Sequence, residues 1–217
     1  MGIFSFLKAK SKSVLGLDIT SSSVKLIELS KVSGGYRVES YMVRPLPLNA
    51  VVEKNISDHE AVADTIRKVV AQAKPRLADV ACAVAGSAVI TKIIEMPSDL
   101  SDQALETQIS LEADQYIPYP LEEVALDFQV LGASEASPNQ VDVLLAACRQ
   151  ENVESRQKAI DDAGLHTRIV DVEVFALERA FKLIAEQMEE IEEQVVAIAD
   201  IGATMLTLSV LVDGRTV

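Results

Sequence analysis

Val14-Leu-Gly-Leu-Asp18-Ile-Thr-Ser-Ser-Ser-Val-Lys25-Leu-Ile-Glu-Leu29 is an apolar strand, an aspartate, a turn of hydroxyl residues and a second apolar strand. The same plan returns in Val195-Val-Ala-Ile-Ala-Asp200-Ile-Gly-Ala-Thr204-Met-Leu-Thr-Leu-Ser-Val-Leu211. Such a hairpin presents backbone N–H groups and hydroxyls to an anion, and an aspartate at the strand end can hold a hydrated cation. Two copies facing each other would clamp a nucleoside triphosphate and its magnesium. No Walker A glycine loop occurs in the chain, so a P-loop mechanism is excluded.

The residues that matter follow from this plan. Asp18 and Asp200 each end an apolar strand, where a carboxylate is costly unless solvated, paired or serving a cation. Both read as magnesium-side residues. For Asp18 the alternative is a turn cap bonded to the Thr20–Ser22 amides. Thr20, Ser21, Ser22 and Ser23 in one turn, and Gly202, Ala203 and Thr204 in the other, are the expected phosphate contacts. Gly202 is expected to let the backbone approach phosphate. Lys25 shares a strand face with Ser23 and reads either as a point charge for a phosphate or as a solvated lysine on an edge strand.

Paired turns of this kind resemble the phosphate-binding hairpins of the actin, sugar-kinase and Hsp70 ATPase superfamily. Gly16-Leu-Asp18-Ile-Thr-Ser-Ser-Ser-Val-Lys25, the Glu95-Met-Pro97 step and Asp171-Val-Glu-Val-Phe-Ala-Leu-Glu-Arg179 narrow the resemblance. From Val14 onward the chain is similar to the PilM family, the actin-like proteins of the type IV pilus inner-membrane platform, which are relatives of FtsA. The resemblance implies an α/β fold: a ribonuclease-H-like first half of an actin-like ATPase, with an inserted subdomain and the start of the second half. It also implies that this is an N-terminal portion, with adenine-binding residues further on. ATP and Mg2+ are the implied cofactors.

Composition bounds the rest. With 217 residues, 49% of them hydrophobic, the chain can bury a core and is not expected to be disordered. No apolar run approaches the ~20 residues of a membrane helix, and no secretory signal is visible, so the expected location is cytoplasmic. A net charge of −13 makes nucleic acid an unfavourable partner. Cys82 and Cys148 lie far apart in apolar strands and read as buried structural thiols. His59, at a helix start, and His166, in a loop, have no ligand-spaced partners.

Along the chain, residues 1–13 form an apolar-basic tail, with Ile3, Phe4, Phe6 and Leu7 beside Lys8, Lys10 and Lys12. It reads as weak peripheral membrane contact or as a locally packed tail. Three strands follow, then a helix opened by a Ser57–Glu60 capping box and closed by Pro75, then a strand at Asp79–Ala85. Residues 14–87 and 167–188 are assigned to the first subdomain. Residues 88–166, a β-α-β-β-α unit, form the insertion. Residues 189–217 are an acidic linker and the first hairpin of the second half.

Two functions from different classes suit this plan. One is an ATP-binding scaffold with little or no turnover. By resemblance, it docks the N-terminal cytoplasmic tail of a PilN-like inner-membrane protein in a groove next to the insertion, and self-association is open to it. An FtsA-like division protein is the near variant. The other is a sugar- or acetate-kinase-type phosphotransferase, which needs a carboxylate base beside an acceptor hydroxyl, and none is evident. Asp171 reads as a cleft residue or as a helix N-cap.

Overall fold

A computed structural model describes residues 13–185 and 195–216. The tail at 1–12 and the acidic stretch at 186–194 lie outside the described residues. The chain divides into two compact units. One is Ser87–Glu154, and the other takes in the described residues up to Gly86 and those from Ser155 onward.

The larger unit is built on a five-stranded sheet. Strands β1 (Leu15–Ile19), β2 (Ser23–Val32) and β3 (Gly35–Pro45) form an antiparallel meander. A small hairpin of β4 (Val51–Val52) and β5 (Asn55–Ile56) follows, then helix α1 (His59–Ala73) and strand β6 (Asp79–Val84). Strand β6 lies parallel to β1, and β10 (His166–Val172) lies parallel to β6. The order is therefore β10-β6-β1-β2-β3.

Alternation decides which face is core. Leu15, Leu17, Ile19, Val24, Leu26, Val80 and Cys82 point to one side, where Val62, Ile66 and Val69 of α1 meet them. Each such side chain contributes about 1.5–3 kcal/mol on burial. Gly16, Asp18 and Lys25 occupy the alternate positions and so turn to the other face. The site residues are thus placed by strand periodicity alone.

In the smaller unit, β7 (Val89–Pro97), β8 (Val124–Ala133) and β9 (Gln140–Arg149) form an antiparallel sheet with β9 in the middle, and helix α2 (Asp102–Glu112) lies between β7 and β8 in the chain. Its core is Ile94, Met96, Leu105, Ile109, Val143 and Leu145. Glu95 accepts hydrogen bonds from the Ser134 and Ser137 hydroxyls, at 2.6 and 3.0 Å, and so ties the β8–β9 connection to β7.

Helix α3 (Gln150–Asp162) leads back to the larger unit, ended by Gly164 at φ +83°. It differs from the sequence reading, which gave residues 155–166 to the insertion. Ala159, Ile160 and Leu165 are buried in the larger unit's core, because their apolar faces match β6 and α1. The N-cap of α1 is likewise Asp58, not Ser57, since its carboxylate accepts the Ala61 N–H at 3.0 Å. His166 begins β10 and is not in a loop. The β4–β5 hairpin is unforeseen in the sequence; its turn holds Glu53 and Lys54 at positive φ.

Helix α4 (Glu173–Ala185) follows β10. A separate sheet, β11 (Val195–Ile201), β12 (Leu206–Val212) and β13 (Arg215–Thr216), closes the described chain. Both cysteines are buried and neither is in a disulfide, and burial pushes the Cys82 thiol up to about 11. Among the described residues, no helix is long and apolar enough to cross a membrane.

Candidate nucleotide site at two hairpins

The two hairpins close in the same way. The Thr20 N–H donates to the Ser23 carbonyl at 2.9 Å, and the Gly202 N–H donates to the Met205 carbonyl at 2.9 Å. Each loop therefore spans four residues, with Ile19 opposite Val24 in one and Ile201 opposite Leu206 in the other. This common closure puts Asp18 and Asp200 at equivalent positions, two residues before each turn.

Side chains finish the turns differently. In the first, Thr20 Oγ1 accepts the Ser23 N–H at 3.0 Å, takes a longer contact of 3.4 Å from the Ser22 N–H, and donates to the Ser23 carbonyl. The Thr20 hydroxyl thus organises the turn, and the Ser23 hydroxyl lies 3.2 Å from it. In the second turn there is no room for a side chain at position 202, because a Cβ there would lie 2.9 Å from the Met205 carbonyl oxygen. The reason for Gly202 is therefore closure of its own hairpin.

The turns meet. The Thr204 hydroxyl donates to the Ser21 hydroxyl at 2.9 Å, across 183 residues of sequence. Among the described residues, the amides of Ser21, Ala203 and Thr204 have no hydrogen-bond partner. Ala203 and Thr204 are exposed and Ser21 is partly so, and free amides at touching turns are the provision an anion needs.

Electrostatics completes the site. Lys25 lies directly opposite Asp18 in the β1–β2 ladder, and its Nζ donates to Asp18 Oδ2 at 2.9 Å. The hydrogen bond to Asp18 is the main cause holding the Lys25 ammonium above the ordinary lysine range, with charge from Asp18 and Asp200 adding to it against some burial. Two earlier alternatives are thereby decided. Asp18 does not cap the turn amides, and Lys25 is not a solvated edge residue, since β2 runs between β1 and β3.

These residues suit magnesium and phosphate together. Magnesium is commonly held by one or two carboxylates, with phosphate oxygens and waters supplying the rest. Asp18 and Asp200 are two such carboxylates, and the unpartnered amides and hydroxyls are phosphate donors. Among the described residues, no group of three or more His, Cys, Asp or Glu residues is placed to hold a metal. A protein-only cage is thus absent, and the donor set fits a cation that arrives with phosphate.

Asp171 already has partners. It pairs with Arg179 and accepts the Val172 N–H at 2.8 Å, so it neither caps α4 nor stands free as a base. One functional contact was invisible in the sequence. Glu178 of α4 accepts both the Thr216 N–H and the Thr216 hydroxyl, at 2.8 and 2.9 Å, and clasps the second hairpin's sheet to the helix. The only signal for it is a glutamate on the helix that precedes the hairpin.

Known proteins share this architecture. The chain is similar to the PilM-PilN type IV pilus biogenesis complex, with 31% identity and a TM-score of 0.78 over 95% of this chain and 60% of that chain. A second similar structure is the cytoplasmic domain of EpsL, an inner-membrane component of the type II secretion system of Vibrio cholerae. There the identity is 15% and the TM-score 0.54, over 94% of this chain and 70% of that one. A third is the ethanolamine utilization protein EutJ from Carboxydothermus hydrogenoformans, with 13% identity and a TM-score of 0.52 over 96% and 51% of the two chains. The last two speak for the fold alone, and that fold is the actin-like one. The chain spans 60% of the length of the PilM-PilN chain it matches. A family profile described as type IV pilus assembly protein PilM matches residues 16–217, which take in both hairpins and everything between them. The chain belongs to the family of type IV pilus assembly protein PilM.

Proposed function

We propose that this protein is a nucleotide-binding scaffold of type IV pilus assembly that docks the N-terminal cytoplasmic tail of a PilN-like inner-membrane protein. The observation that carries the reading is the likeness, over 95% of the chain, to the PilM-PilN type IV pilus biogenesis complex. The protein itself is cytoplasmic in this reading and peripheral to the inner membrane through its partner. Self-association and a direct membrane touch by the N-terminal tail are secondary to that docking.

ATP with Mg2+ is the proposed ligand of the paired hairpins. Asp18 and Asp200 hold the hydrated cation, and Ser21, Ser22, Ala203 and Thr204 face the phosphates. Thr20, Ser23 and Gly202 keep the two turns in shape, and Lys25 supplies a positive charge. A magnesium ion held by Asp18 and Asp200 would neutralise phosphate charge at the two turns. A site of this kind biases the docking surface by favouring one closure of the protein, and turnover is not required.

Two measurements test the reading. Calorimetry of the full-length protein against a peptide of the partner's tail is expected to give saturable binding, and no binding at millimolar peptide overturns the docking role. Asp18→Ala and Asp200→Ala are each expected to weaken Mg-ATP binding by at least about tenfold, with the fold intact because both carboxylates are surface groups. Unchanged affinity in both variants overturns the site. Phosphoryl transfer to a panel of sugars, if found in a coupled assay, would favour the kinase class instead.

A further inference from the structure

We propose that Lys25 is the resident counter-cation of both hairpins, holding the cation position so that a bare divalent ion is kept out until phosphate arrives. The inference rests on the magnesium–phosphate reading of the site and adds the order in which its ligands enter.

The ladder registers carry the argument. Asp18 faces Lys25 across β1–β2, whereas Asp200 faces Thr207 across β11–β12. Asp18 thus has an ammonium opposite it, and the second hairpin brings no cation of its own to the facing position. The turns that follow the two aspartates are held in contact by the Thr204–Ser21 hydrogen bond. The Asp200 charge, after the hydrogen bond and charge of Asp18, also favours the Lys25 ammonium. Opposite charges that face each other in a ladder stabilise the pair, and like charges brought together do the reverse.

Chemistry sets the consequence. A lysine is a compact charge on a flexible stem, able to exchange one oxygen partner for another. Both Lys25 and Asp18 are half exposed, at 42% and 48%, so the ammonium can leave without unpacking the core. A phosphate at the turns offers it a better-charged partner. Once Lys25 moves to phosphate, Asp18 is released, and the same phosphate supplies the oxygens that two carboxylates alone lack. Cation and nucleotide therefore enter together.

Mn2+ without nucleotide is the probe, followed by electron paramagnetic resonance on the full-length protein and on Lys25→Met, Lys25→Arg and the double variant Lys25→Met/Asp18→Asn. Circular dichroism checks that each variant is folded. Lys25→Met is expected to bind bare Mn2+ about tenfold or more tighter than the parent. Lys25→Arg, which keeps the charge, should stay at the parent level, and the double variant should lose the gain. Equal Mn2+ binding by parent and Lys25→Met overturns the counter-cation role. If that equality is found while Mg-ATP binding still depends on Asp18, the site reading survives alone. If Lys25→Met gains Mn2+ but no form binds Mg-ATP, the counter-cation role stands and the nucleotide reading falls.

Discussion

The first hairpin and the second share a sequence plan and even the bond that closes their turns, yet they are held by different forces. In β1–β2 the inward residues Leu15, Leu17, Val24 and Leu26 are all but fully buried under α1. In β11–β12, Ile201, Leu206 and Leu208 are 80%, 64% and 62% exposed, and only Ser209 and Leu211 are buried. The first hairpin is pinned by apolar area. The second is pinned by the Glu178 clasp on Thr216 and by the hydroxyl contact between Thr204 and Ser21. The lesson is that alternation makes a hairpin, while its neighbours decide what the alternation is worth.

The sharpest way to break this comparison is to truncate one leucine in each hairpin. Leu26→Ala should cost about 2–5 kcal/mol through a cavity in a closed core. Leu208→Ala should stay within about 0.5 kcal/mol, as a surface change does. Denaturant unfolding of both variants checks it, and equal losses would abolish the distinction.

Next in size is the clasp. Burial by itself would raise the Glu178 carboxyl, but the Lys182 ammonium and the two Thr216 donors outweigh it and hold it below the usual range. Its contribution is therefore present above the ordinary glutamate value and is lost as pH falls through the lowered one. Glu178→Ala should cost about 1.5–3 kcal/mol, the worth of hydrogen bonds to a charged group. Amide exchange should report the loss in Val195–Thr216 and leave β1–β3 protected. Uniform loss across both sheets would mean that the clasp supports the whole unit.

A smaller effect is expected at the turn. Gly202→Ala places a Cβ against the Met205 carbonyl, a backbone atom with little freedom to yield. About 1–3 kcal/mol of strain is expected, again confined to the second hairpin. Unaltered exchange in β11 and β12 would show that the turn relaxes freely.

The smallest effect belongs to the ion pair. Lys25 and Asp18 are half exposed, and such pairs contribute about 0.2–1 kcal/mol. Because the Lys25 pKa is raised, mainly by its hydrogen bond to Asp18, this contribution is complete below the ordinary lysine value. It is lost as pH rises through the raised one. Comparing alkaline unfolding of the parent with Lys25→Met measures it, and a parent that loses nothing relative to the variant would show the pair to be neutral.

Much of this was legible along the chain, because local rules set it. Strand periodicity placed Asp18 and Lys25 on one face and Leu17 and Leu26 on the other, and a four-residue turn put Asp18 opposite Lys25. The helix over Val62, Ile66 and Val69 follows from their spacing, although the choice between Ser57 and Asp58 as cap depended on which oxygen reached the Ala61 amide. The short β4–β5 hairpin escaped notice because two-residue strands carry no period to read, and its Glu53-Lys54 turn lacks glycine. The allegiance of α3 was also hidden, since Ala159 and Ile160 form an apolar face that suits either neighbour until one is built.

By itself the sequence determined two aspartate-bearing hairpins, their spacing and the actin-like class, and it proposed the residues that would face a ligand. Those features rest on contacts within about a dozen residues, where backbone geometry leaves few choices. Only the tertiary structure decided that Ser21 touches Thr204, that Glu178 clasps Thr216, and that Ala159 and Ile160 of α3 pack into the larger unit's core. These depend on where separate elements come to rest, and the burial that fixes those positions is non-directional, so no local pattern encodes it.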